Sequence, residues 1–215
     1  MYMKFEDIID NDNIYLYLGD ISIQRREYAN IPFIGLLNKN NFENKYHIQH
    51  DVTNSIPLNN NTVDIVQSED VMEHIEYDLL KDSINDIYRI LKPGGLFRLS
   101  MPDYRCDVLY NRSVKDSNGN IIFDQGGGGD YDRINKKVIN GGHVWFPVFS
   151  TVKSLLESTD FLNGKINYLH YYDDNNNPVT NKIDYSKGFI SRTPDHDDRV
   201  KEPYRPMSIV VDCYK

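Results

Sequence analysis

The stretch from Glu76 to Met101 constrains the fold more than any other part of the chain. Leu80, Ile84, Ile87 and Leu91 recur at the spacing of one helix face, which predicts an amphipathic helix from Glu76 to Leu91. Lys92-Pro93-Gly94-Gly95 then stops it, with a cation at the negative helix end and two residue types that do not continue a helix. Leu96-Phe97-Arg98-Leu99-Ser100-Met101 follows as a strand closed by Pro102, and Val63-Asp64-Ile65-Val66 precedes the helix as another. Strand, helix, Pro-Gly-Gly stop and strand is the order that a parallel sheet demands.

The remaining apolar runs fit the same plan. Ile14 to Leu18 reads as a strand ending at Gly19-Asp20, Phe33 to Leu37 as a second, and Tyr46 to Val52 alternates as a third. Their close spacing leaves little room for long helices between them. Ser150 is placed to cap a helix from Thr151 to about Thr159, carrying Val152, Leu155 and Leu156 inward. Ile166 to Tyr172 and Ser208 to Cys213 read as further strands. One domain over residues 1–215 is expected, with 103–147 and 173–206 as loop insertions over the site. Gly126 to Gly129 lack the strand, helix and Lys-Ser/Thr of a phosphate loop and read as a flexible hinge.

Composition excludes several roles. A net charge of −8 with no basic run repels a phosphate backbone, so no nucleic-acid partner is expected. No run approaches the roughly 18 apolar residues of a membrane helix, and the start lacks a signal-peptide core, so no membrane and a cytoplasmic location are expected. Cys106 and Cys213 cannot make a disulfide scaffold or a cysteine zinc site. Asp195-His196-Asp197-Asp198 has metal-binding side chains, but adjacent residues rarely face one point. With Arg192 and Arg199 beside them they read as a salt-bridged lid, and no metal is expected.

Three ordered segments carry a family resemblance. Asp51-Val52-Thr53-Asn54-Ser55-Ile56-Pro57-Leu58, then Val63 to Val66 running into Glu69-Asp70-Val71-Met72-Glu73-His74, then Arg89-Ile90-Leu91-Lys92-Pro93-Gly94-Gly95, resemble the middle of a type 11 SAM-dependent methyltransferase. His143-Val144-Trp145-Phe146 and Phe161 resemble its later stretch. The resemblance implies a Rossmann-like class I methyltransferase fold: an α/β structure with a mostly parallel central sheet, an antiparallel C-terminal strand and helices on both faces. It also implies S-adenosyl-L-methionine (SAM) as cofactor. Two features depart from the family. Leu16-Tyr17-Leu18-Gly19-Asp20-Ile21-Ser22 keeps one glycine of the expected L-x-L-G-C-G, and Leu37 with Asn38 stands where a ribose-binding acid belongs.

On this resemblance Gly19, Asp20, Asp51, Val52, Glu69 and Asp70 are the cofactor-binding candidates. Asp51 is equally a turn-forming residue, and Glu69 and Asp70 equally supply helix N-terminal charge. His143 is a candidate general base for a hydroxyl acceptor, or else a loop histidine packed on Trp145. Asp103 shares the catalytic assignment. His74, Tyr104, Arg105, Trp145, Arg192, His196 and Arg199 are expected around the substrate. The implied function is O-methylation of a small molecule or sugar, and a homodimer is compatible with it. The alternative is an inactive methyltransferase-like module that binds a protein or nucleotide. The loop after Leu18 discriminates: blocked by Ile21 it favours the module, and turned tightly beside a cavity it favours the enzyme.

Overall fold

Alternation along each strand decides what the sheet must be covered with. The computed structural model describes residues 2–28, 30–39, 41–42 and 44–215. Its main sheet has eight strands in the order β11-β10-β12-β5-β4-β1-β2-β3. They are β1 (Tyr15–Leu18), β2 (Ile34–Leu37), β3 (His47–Gln49), β4 (Val63–Glu69), β5 (Leu91–Pro102), β10 (Lys165–Tyr172), β11 (Pro178–Thr180) and β12 (Ser208–Tyr214). β1 to β5 pair in parallel, while β12 runs antiparallel to both β5 and β10, and β11 antiparallel to β10. This is the mostly parallel sheet with antiparallel C-terminal pairing that the family resemblance implies.

Leu16 and Leu18 of β1, Phe97, Leu99 and Met101 of β5, and Ile209, Val211 and Cys213 of β12 share one buried face. Two helices cover it. α2 (Tyr77–Ile90) buries Leu80, Ile84 and Ile87, and α4 (Phe149–Glu157) buries Val152, Leu155 and Leu156. Phe161, just beyond α4, stacks on Phe97 with ring centroids 5.7 Å apart. Burial of each such side chain is worth about 1.5–3 kcal/mol, so this face supplies most of the core. α4 begins two residues before the expected Thr151. Ser150 lies inside it, and Thr151 does the terminal work: its hydroxyl accepts from Val148 N at 3.2 Å and donates to Val148 O at 2.8 Å.

The opposite face is polar where it should be apolar: Gln67, Glu69, Arg98 and Asp212 are all buried there. The short helix α1 (Ile23–Tyr28) and residues 183–192 roof this face. Arg98 is fully buried, makes two 2.8 Å bonds to Asp212, and donates to the carbonyls of Asp184 (2.8 Å) and Gly188 (3.1 Å). Ile183 and Ile190 pack with Val210 between those bonds. The polar C-terminal excursion is therefore a structural roof over the sheet as well as a neighbour of the site.

Residues 103–147 are more ordered than the sequence suggests. They hold α3 (Asp107–Arg112), a hairpin of β6 (Ser113–Lys115) with β7 (Ile121–Asp124), and a second of β8 (Asp130–Asp132) with β9 (Lys137–Ile139). Of the glycines after β7, Gly126, Gly127 and Gly129 are closely packed, against the flexible hinge expected. A Cβ at Gly127 would meet the His143 ring at 2.7 Å, so glycine here permits a close approach.

Candidate active site

The parallel strands end along one edge, and a cavity of about 720 Å³ opens there. Open α/β sheets place ligands at this edge, outside the carboxyl ends of the strands. Gly19 and Asp20 reach it from β1, Leu37 and Asn38 from β2, Asp51 and Val52 from β3, and Glu69 and Asp70 from β4. All six predicted cofactor-binding residues line this one cavity.

Each is held by a specific local cause. Gly19 adopts φ +111°, a conformation that a side chain rarely tolerates, and a Cβ there would lie 3.2 Å from Val71. Its N–H donates to Leu36 O at 2.8 Å, and Ile21 N–H lies 3.0 Å from His47 Nε2. Ile21 itself turns into a satellite cluster with Tyr17, Ile31 and Phe33 and does not line the cavity. Asp51 accepts from Thr53 Oγ1 (2.7 Å), Thr53 N (3.0 Å) and Asn38 Nδ2 (3.0 Å). Those bonds, the Thr53 hydroxyl foremost, hold its carboxyl below the ordinary range and keep it charged.

Glu69 accepts from Ser191 N at 2.7 Å and pairs with Arg25 at 3.0 Å, tying the roof to α1 across the cavity rim. Asp70 is left-handed (φ 56°), with Oδ2 paired to Arg192 at 3.0 Å and Oδ1 buried without a partner among the described residues. Burial pushes the Asp70 carboxyl up to about 6 against the pull of Arg192. Four acids (Asp20, Asp51, Glu69, Asp70) face two cations (Arg25, Lys39) around the cavity. An acid-rich wall with an unspent carboxylate oxygen suits a ligand bearing positive charge, and the sulfonium and ammonium of SAM supply it. The chain's residues thus fit the cofactor that the family pattern implies.

A second cavity, about 740 Å³, lies under the 103–147 segment, lined by Tyr104, Arg105, Tyr110, Asn111, Trp145 and Phe146 among others. Three predicted substrate residues, Tyr104, Arg105 and Trp145, therefore meet here, whereas His74 lines the first cavity. His143 joins the two. Its ring centroid is 4.7 Å from that of His74 and 6.1 Å from that of Tyr104. The Tyr104 hydroxyl donates to Asp124 Oδ2 at 2.6 Å and meets His143 Nδ1, while Arg112 clamps Asp124 at 2.6 and 2.8 Å. Burial, then the neighbouring His74, pushes the His143 imidazole down to about 3. It is neutral at physiological pH, and a base that weak abstracts a proton poorly.

The structure places the other predicted residues elsewhere. Asp103 is fully buried and lines neither cavity. Its two oxygens accept from Arg105 N and Tyr172 N, each at 3.0 Å, so the carboxylate brackets β5 to β10. His196 packs among Tyr28, Tyr185 and Phe189, and Arg199 pairs with Asp197 at 2.7 Å on the surface. Arg192 touches the first cavity only through Asp70. The sequence reading missed Asp124 and Arg112, whose only signal was a lone acid and a lone base in a polar loop. It took Glu73, with His74, as support for the fold and the pocket wall.

Comparisons with known proteins agree with this geometry. A family model described as a methyltransferase domain (Methyltransf_11) matches residues 27–99. No curated protein matches the chain. Among solved structures, a SAM-dependent methyltransferase from Archaeoglobus fulgidus is similar at 15% identity and TM-score 0.50, over 98% of this chain and 90% of that one. A phosphoethanolamine N-methyltransferase from Haemonchus contortus, bound to phosphoethanolamine and S-adenosylhomocysteine, is similar at 10% identity and TM-score 0.50. That alignment spans 95% of this chain and 39% of the other. The fold is that of the class I methyltransferases. Residues 27–99 are similar to that methyltransferase domain, whose pattern implies S-adenosyl-L-methionine as cofactor. Among the described residues, no helix is long and apolar enough to cross a membrane.

Proposed function

We propose that the chain transfers a methyl group from SAM to an oxygen of a small polar molecule, a sugar ring being the best fit. The observation that carries this reading is the convergence of Gly19, Asp20, Asp51, Val52, Glu69 and Asp70 on one cavity at the carboxyl edge of the sheet. Asp51 and Asn38 would hold the nucleoside, and Asp20, Glu69 and Asp70 the cationic amino-acid end. SAM supplies an electrophilic methyl group, and its transfer gains most from alignment of donor and acceptor. The second cavity combines aromatic faces (Tyr104, Trp145, Phe146) with polar groups (Arg105, Asn111), the mixture that a hydroxylated ring uses. The inactive-module alternative has less support, because Ile21 turns away from the cavity it would have to block.

Calorimetric titration with SAM and, separately, S-adenosylhomocysteine tests the proposal. Micromolar binding, weakened about tenfold or more by Asp51→Ala, is the expected result. No heat and no thermal shift at millimolar ligand would sink it. A methyl-labelled SAM screen against monosaccharides and their phosphates then tests the acceptor class.

A further inference from the structure

Glu73 is fully buried, and neither of its carboxyl oxygens has a hydrogen-bond partner among the described residues. A buried carboxyl with both oxygens unpartnered is costly, and native structures rarely keep one without a use for it. His143 Nε2 stands 3.6 Å from Glu73 Oε1, too far for a hydrogen bond. The hydrogen bonding around His143 fixes its tautomer. The Tyr104 hydroxyl gives its proton to Asp124, so its oxygen accepts from His143 Nδ1–H and leaves the Nε2 lone pair aimed toward Glu73. His74 repeats the arrangement: its Nδ1 lies 2.9 Å from Gly141 O, an acceptor only, so its Nε2 lone pair is free as well. One ligand atom from each of Glu73, His74 and His143 lies within 4.8 Å of the others.

From this geometry we infer that Glu73, His74 and His143 form a binding site for one divalent first-row transition-metal ion. Two imidazoles and a carboxylate are a recurrent ligand set for zinc and iron, with open positions left for an exogenous oxygen. Ligands at about 2.1 Å from an ion, at a tetrahedral angle, stand about 3.4 Å apart, close to the observed gap between His143 and Glu73. The outer support is already built. Each histidine spends its other ring nitrogen on an oxygen acceptor, as metal-ligating histidines do. Two further bonds fix the segments against each other: Val144 N to Glu73 O and Trp145 Nε1 to Met72 O, both 2.9 Å. Asp70, with its unpartnered Oδ1, adds negative charge nearby.

The sequence reading weighed a metal at Asp195 to Asp198 and expected none; Glu73-His74 and His143 are far apart along the chain, and only the fold joins them. An ion here sits between the two cavities, where an acceptor hydroxyl can take an open coordination position. That role rests on the transferase reading, whereas binding of the ion does not. The test uses the full chain, stripped with a chelator and titrated with Co²⁺ and with Zn²⁺. One ion per chain is expected, with visible Co²⁺ absorption of a nitrogen–oxygen site. Glu73→Gln and the solvent-exposed His74→Ala should each weaken binding by about 100-fold or more, Tyr104→Phe by about tenfold, and His196→Ala not at all. No stoichiometric binding by the wild-type chain, or unchanged binding in both Glu73→Gln and His74→Ala, overturns the inference. S-Adenosylhomocysteine titrated into the same samples separates the two readings. Its binding without metal binding refutes only the metal site, and metal binding without nucleoside binding refutes only the transferase.

Discussion

Removing Arg98 should cost more than any other single polar substitution in the sheet. The side chain is fully buried, and its partner Asp212 is nearly so. Arg98→Met leaves a buried carboxylate without its two 2.8 Å bonds and strips the carbonyls of Asp184 and Gly188 of a donor. Breaking one side of such a pair costs about 3–5 kcal/mol, since the remaining charge stays desolvated. In a chain of this length that lowers Tm by roughly 10 °C. Asp212→Leu should cost about as much, because Arg98 keeps only the two carbonyls. The double variant Arg98→Met/Asp212→Leu removes both charges, so its loss should be smaller than the sum of the singles by about 3 kcal/mol. Urea denaturation at neutral pH measures all three. Hydrogen exchange adds a local readout: the Ser191 amide, now bonded to Glu69, should exchange faster in the double variant even where global stability is regained. Single losses below about 1 kcal/mol, or strictly additive ones, would refute the claim that this pair anchors the roof.

Four further outcomes are expected. Gly19→Ala forces a Cβ into φ +111° against Val71 and should destabilise by about 1–2 kcal/mol while weakening nucleoside binding, as a urea melt and calorimetry will show. Asp103 has its carboxyl pushed up to about 6 by burial, so the folded chain binds this proton more tightly than the unfolded one and stability from this group rises as pH falls. Between about pH 7.5 and pH 5 the wild type should gain about 1 kcal/mol relative to Asp103→Asn, and parallel pH profiles of the two would contradict this. Trp145→Ala should lower kcat/KM for the acceptor about tenfold and leave SAM affinity within about twofold, a split readable from initial rates and calorimetry. The acid-rich wall of the first cavity should make affinity for SAM fall more steeply with salt than affinity for uncharged-sulfur S-adenosylhomocysteine, and identical salt slopes would count against it.

What the sequence showed and what it hid divide along physical lines. β4, α2 and β5 were legible because each writes its own period into consecutive residues: Leu80, Ile84 and Ile87 on a helix face, Phe97, Leu99 and Met101 on a strand face. The boundaries moved where a side chain did unexpected work, as Thr151 does at the start of α4. Arg98 was visible as a charge inside a strand, but its partner lies 114 residues away, and no local pattern announces such a pairing. The roof was hidden for the same reason, since Ile183 and Ile190 follow no period and take their meaning from Val210 beneath them. Asp103 was misjudged because an acid at a strand's carboxyl end often faces a ligand. Here two backbone amides, Arg105 and Tyr172, claim both oxygens.

The first motif, the feature that made the sequence hardest to read, makes sense once the backbone donors are followed. In a glycine-rich loop the N–H groups stay free to meet a ligand. Here the Gly19 N–H is spent on Leu36 and the Ile21 N–H on His47, so the loop offers the cavity shape and few donors. Recognition then falls chiefly to side chains, and among those gathered Asp20, Asn38, Asp51, Glu69 and Asp70 outnumber the cations Arg25 and Lys39. A site of acceptors selects for a ligand with donors and positive charge. A loop whose N–H groups are spent and a wall of acidic side chains together favour side-chain over backbone recognition, and Glu69 and Asp70 tie that wall to the roof through Ser191 and Arg192.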